Sequence, residues 1–380
     1  MKTLSNPFVI GRYAGSEYFC DREKETRELI SLVTNGNNVV LTGPRRIGKT
    51  DLLCHVFDQR EIKDEFIVIN LDIYPTQSLS DFIDSLGRTI IEALRPRGKA
   101  VVDGFVNFLT SLRAELTFDQ QGMPVWGIGL GRTANYETTL DEIFRYIETA
   151  PRRCLIAIDE FQQITNYPNP TKVEALLRTY IQRCGNAQFI FSGSERHLMT
   201  EMFSSPARPF FQSCTLMGLP LIKEDVYEDF CKRLFERGGK TLGHGVVGRV
   251  YRVFDGITAY MQKVMNQLYA ATPMQHICEV ADVETSIDRI VVMGSDAYEA
   301  LYYQIPQRQR DVLLAIVKDD SASGATSGEF VRRNRLPSPS SVATSLRILT
   351  EKDILTRDAN RYYVYDRFFA LWLRKTILRS

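Results

Sequence analysis

Residues 43–50 read Gly-Pro-Arg-Arg-Ile-Gly-Lys-Thr, and this octapeptide constrains the chain more than any other feature. It follows a β-rich run at 38–42 (Asn-Val-Val-Leu-Thr) and leads into an apolar helix start at Asp51-Leu52-Leu53. A strand, a glycine-rich turn and a helix in that order form a phosphate-binding loop. Gly43 and Gly48 let the backbone, with Pro44, Arg45, Arg46 and Ile47, wrap an anion so that successive N–H groups point inward at the helix N-terminus. Lys49 is placed for the β- and γ-phosphates and Thr50 for a Mg²⁺ ion, with Asp51 opening the helix behind them.

Further short apolar runs lie at 66–74, 153–158 and 187–192, separated by amphipathic stretches at 79–95, 138–149 and 171–184. Strands rich in Ile, Val and Phe alternating with helices predict an α/β domain with a mostly parallel sheet. The run Cys154-Leu-Ile-Ala-Ile158 ends in Asp159-Glu160, so a buried strand delivers two carboxylates to the sheet edge where such folds bind ligands. Asp159 is the expected second Mg²⁺ residue and Glu160 the residue that orients or deprotonates the attacking water. The run 189–193 leads into Ser194, the candidate polar contact to the γ-phosphate or water, with Ser192 as the alternate. Gly127 to Arg132 (GIGLGR) lacks dinucleotide-loop spacing and reads instead as part of a β-hairpin insertion at about 114–131, turning at Gln120-Gln121-Gly122. No Asn-Lys-x-Asp guanine-reading motif is present, so ATP/ADP is expected rather than GTP.

The chain has 380 residues, enough for two or three domains. No stretch approaches the ~18 consecutive apolar residues of a membrane span. The first residues lack the long apolar region of a secretory signal. Seven scattered cysteines without a CxxC pair, and histidines at 55, 197, 244 and 276, argue against a disulfide scaffold or a zinc site. A cytoplasmic protein with no membrane attachment is expected.

Together, GPRRIGKT, IDEFQQI and FSGSERHLM resemble the archaeal-type ATPases of the STAND branch, similar to AAA+ initiators of the origin-recognition kind. The resemblance implies a P-loop NTPase domain over 1–220, a helical lid over 221–290, and a linker helix with a winged helix-turn-helix over 291–380. It implies an N-terminal segment near the adenine. Asp21-Arg22-Glu23 then stands where the family has Gly-Arg-Glu, making Pro7, Phe8 and Arg22 nucleotide contacts. The lid triplet Gly256-Ile257-Thr258 lacks the family's proline. Arg208 is a candidate phosphate-sensing arginine, against the plainer reading of a loop arginine.

Residues 306–380 hold 14 Lys and Arg against 8 Asp and Glu, a basic tail that fits a polyanionic partner. Residues 306–375 resemble a winged helix-turn-helix, which places its third helix in the major groove of duplex DNA and its wing beside the backbone. Val342, Leu346 and Leu349 form that helix's apolar face, and Ser340, Ser341, Ser345 and Arg347 the opposite one. Arg332, Arg333, Arg335, Arg347, Arg357 and Arg361 are the candidate phosphate contacts, with Ser340 and Ser341 beside them. Two functions stay open, beside the weaker alternative of a degenerate nucleotide binder that holds ADP tightly and hydrolyses almost nothing. One is an ATP-driven switch whose winged module binds double-stranded DNA. The other is a homo-oligomerising signalling or defence switch whose module binds protein.

Overall fold

The computed structural model describes residues 4–94, 116–118, 124–126, 136–319, 322–358 and 361–378. The chain divides into two compact units, Gly11–Ile222 and Met1–Ile10 together with Lys223–Ser380.

In the first unit the strands are β1 (Val39–Thr42), β2 (Phe66–Asp72), β3 (Leu116–Phe118), β4 (Pro124–Trp126), β5 (Arg153–Asp159), β6 (Ala187–Gly193) and β7 (Thr215–Gly218). Five of them form one sheet in the order β2-β5-β6-β1-β7, all parallel. Every residue of β1 and β6 is buried, which is why they read as unbroken apolar runs. Register aligns the strand ends: Thr42 sits opposite Gly193, and Asp72 opposite Asp159. The polar residues that end these strands therefore share one edge. Strands β3 and β4 pair antiparallel, Leu116 opposite Trp126 and Phe118 opposite Pro124; the expected turn at 120–122 and the GIGLGR run lie outside the described residues.

Helix Leu79–Leu94 buries Phe82, Ile83, Leu86, Ile90 and Ile91, spaced to form one stripe, and packs on β2. Behind the acidic strand end, Phe161, Phe191, Phe203 and Phe210 form a cluster with ring centroids 4.5–5.9 Å apart. Because Phe161 follows Glu160 directly, this packing anchors the backbone from which Glu160 projects. The edge strand β7 is only four residues long, with Thr215, Leu216 and Gly218 exposed, so no apolar run announces it in the sequence.

The second unit is helical from Glu224 to Gln304, apart from a two-residue parallel pair, β8 (Thr241–Leu242) with β9 (Ile277–Cys278). Phe8 is fully buried there against Phe230, Phe235 and Tyr269. Two asparagine amides hold that segment, Asn6 Nδ2 donating to Asn266 O at 2.9 Å and Asn266 Nδ2 donating to Phe8 O at 2.7 Å. Helices Gln307–Lys318, Gly328–Arg333 and Pro339–Glu351 follow, with β10 (Ala322–Ser323), β11 (Leu355–Asp358) and β12 (Arg361–Val364) in the order β10-β12-β11. Ser327 and Ser338 cap the second and third helices by accepting from Phe330 N and Ser341 N, both at 3.2 Å. Val342, Leu346 and Leu349 are buried as expected, but so is Ser345. Three residues after Val342, it falls on the same helical face, which corrects its placement on the opposite one.

Helix Arg367–Trp372 ties the winged module to the preceding helices. Phe368 meets Phe254 at 5.0 Å between centroids, Trp372 Nε1 donates to Ser295 Oγ at 2.9 Å, and Tyr260 Oη donates to Tyr365 O at 2.8 Å. Among the described residues no helix is long and apolar enough to cross a membrane.

Candidate nucleotide-binding and hydrolysis site

The loop after β1 is shaped by its glycines. Gly48 has φ +92°, a conformation costly for any residue with a Cβ, and it turns the chain into helix Lys49–Asp58. Arg46 also lies in the left-handed region at φ +65°. At Gly43 a Cβ would stand 2.8 Å from Ile47 Cδ1 and 3.0 Å from Leu219 O. Ile47 is buried beneath the loop, whereas Pro44 is exposed and Arg45, Arg46 and Asp51 are half-buried.

Lys49 is buried, and its Nζ donates to Gly43 O and Pro44 O, both at 3.0 Å. Burial lowers its pKa while Glu160 and Asp159 oppose that shift, so the ammonium is desolvated yet drawn toward the acids. Asp51, on the same helix, is raised by burial. Thr50 Oγ1 donates to Asp159 Oδ2 at 2.8 Å, joining the loop to the end of β5. Ser192 Oγ donates to the other oxygen, Oδ1, which also accepts from Glu160 N at 3.0 Å. A hydroxyl and a carboxylate oxygen this close form a hard oxygen donor set, which fits Mg²⁺.

Glu160 has φ +54°, an uncommon conformation for a residue with a side chain. Its Oε2 accepts from Ser194 Oγ at 2.7 Å and from Ser194 N at 3.4 Å. Ser194 Oγ in turn accepts from Arg45 Nε at 2.8 Å, so the phosphate loop touches the acidic strand end at a second point. Both serines are used: Ser192 holds Asp159, and Ser194 holds Glu160.

Lys49, Thr50, Asp159, Glu160, Ser194 and Arg45 are thus brought together. The other candidates have partners of their own. Arg208 pairs with the fully buried Glu174 and, at 3.4 Å, with Glu201. Arg22, nearly inaccessible, donates to Pro220 O at 2.7 Å and to Glu25 at 3.1 Å, fixing the start of helix Glu23–Thr34. Pro7 and Phe8 are buried in the other unit.

Two residues at the site escaped the sequence reading. Asp72, across from Asp159, is raised by burial and by the charges of Asp159 and Glu160, while the Tyr74 amide donates to it at 2.9 Å. Gln162 is buried with its Nε2 against Glu160. The only signal for Asp72 was its place at the end of a strand, and for Gln162 its two-residue spacing from Glu160.

Fold and site together define a phosphate-loop ATPase domain joined to a winged helix. Residues 19–264, more than half of the chain, match the family described as an ATPase domain predominantly from Archaea, and the chain belongs to that family. Residues 296–375 match a probable winged helix domain. An uncharacterized ATP-binding protein of Methanocaldococcus jannaschii is 30% identical over 156 residues, 38% of this chain and 43% of that protein, so the match spans less than half of the relative's length. Among solved structures, a Walker-type ATPase of Pyrococcus abyssi superposes with a TM-score of 0.63 at 18% identity, covering 97% of this chain and 99% of the other. The Aeropyrum pernix ORC1 protein, solved in complex with DNA, superposes with a TM-score of 0.55 at 14% identity over 95% and 94% of the two chains.

Proposed function

We propose that the protein is a Mg²⁺-dependent ATPase that works as a nucleotide-controlled switch, with a winged module that binds duplex DNA. The observation that carries the hydrolytic half is that the phosphate loop reaches both carboxylates at the end of β5, Asp159 directly through Thr50 and Glu160 through the Arg45–Ser194 pair. Lys49 leaves its loop carbonyls to neutralise the β- and γ-phosphates, and the backbone N–H groups of 43–50 cradle them. Thr50 and Asp159 are the residues that would hold Mg²⁺, which supplies charge neutralisation at the phosphates. Glu160 orients the attacking water and takes its proton, and Ser194 and Arg45 keep the carboxylate at the loop.

Removal of a positioned general base costs on the order of 10²–10⁴ in rate, so Glu160→Gln is expected to bind ATP and hydrolyse it at most a hundredth as fast as wild type. Lys49→Ala is expected to lose both binding and turnover. Phosphate release with and without Mg²⁺, beside equilibrium ATP binding, measures this. Normal hydrolysis by Lys49→Ala would sink the assignment.

For the winged module, Arg332, Arg333, Arg335, Arg347 and Arg361 are exposed, as is Ser340, with Ser341 half-buried. The DNA complex of the Aeropyrum pernix neighbour supports the same use here. Arg333 already pairs with Asp319, and Arg347 with Glu351 at 2.6 Å, an observation that favours the second reading, a protein-facing module of a homo-oligomerising switch. Exposed pairs of this kind are worth only about 0–1 kcal/mol, less than a phosphate contact returns, so DNA remains the preferred partner.

A further inference from the structure

We propose that Gln162 is a positioning residue that clamps one oxygen of Glu160 and leaves the other for the attacking water; this rests on the reading of Glu160 given above.

Gln162 lies in the short 3₁₀ turn Phe161–Asn166, buried to 4% exposure. A buried amide is costly unless bonded. Its Nε2 donates to Glu160 Oε2 and reaches Ser194 Oγ at 3.4 Å. The amide orientation follows from the chemistry: an ionised carboxylate only accepts, so the NH₂ must face it. Its Oε1, by contrast, has no hydrogen-bond partner among the described residues. An unsatisfied buried acceptor is destabilising, so glutamine is not the side chain that packing alone would favour at this position. The amide's return lies on its other side, against Glu160.

The neighbouring strand makes room for it. Gly193 ends β6, and a Cβ there would stand 2.4 Å from Gln162 Oε1 and 2.6 Å from Met199 Cγ and Sδ. The glycine is therefore part of the amide's seat. On the Glu160 carboxylate, every hydrogen bond given by the described residues falls on Oε2, from Gln162 Nε2, Ser194 Oγ and Ser194 N. Three donors on one oxygen fix the carboxylate plane, and Oε1 is left as the acceptor for a proton. Glu160 itself stands in the left-handed region at φ +54°, a conformation kept only where the surroundings hold it, and the packed Phe161 ring and these donors are what hold it here.

The test is Gln162→Met, which keeps length and removes the donor. Removing a supporting hydrogen bond of this kind costs about 10–100-fold. The expected result is a fall of that size in kcat, with KM and equilibrium ATP affinity within about threefold of wild type and no loss in melting temperature. Added to Glu160→Gln, the same change is expected to alter the residual single-turnover rate less than about twofold, because both act through one carboxylate. Gly193→Ala, which displaces the amide without removing it, is expected to lower kcat with Gln162 in place. An unchanged kcat in Gln162→Met would overturn the proposal, as would a full, additive loss in the Glu160→Gln background. Wild-type turnover by Glu160→Gln alone would instead overturn the reading of Glu160 beneath it.

Discussion

Arg208 and Glu174 show how a single side chain's role depends on what surrounds it. Glu174 is fully buried, and burial raises its pKa while the Arg208 guanidinium lowers it. Removing one partner of a buried pair strands the other and costs about 3–5 kcal/mol. Arg208→Met is therefore expected to lower the unfolding free energy by that amount while ATP affinity stays within about twofold. The sign with pH follows from the shift. Without the arginine, Glu174 in the folded protein holds its proton to higher pH than in the unfolded chain, so stability is lost as pH rises and regained as it falls. The deficit should shrink as pH is lowered from about 8 toward about 5, read by denaturant melts. Loss of ATP binding with unchanged stability would make Arg208 a phosphate contact instead. Sequence showed an arginine in a proline-flanked loop and nothing of Glu174, because the partners lie on separate elements and only tertiary packing joins them. Phe8 is a similar case: an aromatic near the N-terminus, whose ring is spent on Phe230, Phe235 and Tyr269.

Elements that announce themselves as contiguous patterns were legible. The phosphate loop, β5 with its two acids, and β6 with its serines are each a short run in which local chemistry and burial agree. What was not legible depends on register or on a third element. Gln162 matters only because Gly193, on another strand, leaves it space. Asp72 matters because β2 and β5 are in register at their last residues. The third helix of the winged module shows the limit of face counting, since Ser345 falls within the apolar stripe. For the exposed face the prediction concerns charge. Removing one arginine from a DNA phosphate should flatten the dependence of log affinity on log salt by about 0.9. Joint replacement of Arg332, Arg335 and Arg361 by alanine is expected to weaken duplex binding and reduce that slope by about 2–3, measured by titration at several salt concentrations. An unchanged slope would remove these arginines from the interface.

On the scale of the whole molecule, the helices from Glu224 onward and the winged module belong to one compact unit. Arg367 pairs with Asp255 at 2.9 Å, and Lys263 Nζ lies 4.9 Å from the centre of the Phe368 ring, in addition to the Phe254 and Tyr260 contacts. These contacts pack the winged module directly against the helical segment. If nucleotide state governs the winged module as proposed, DNA affinity must depend on the nucleotide bound. The experiment is a duplex-DNA titration of the Glu160→Gln protein at two salt concentrations, once with ADP and once with ATP and Mg²⁺. Salt-sensitive binding whose affinity differs between the two nucleotide states is the expected result. Absence of DNA binding in both states would contradict it and assign the winged module to a protein partner.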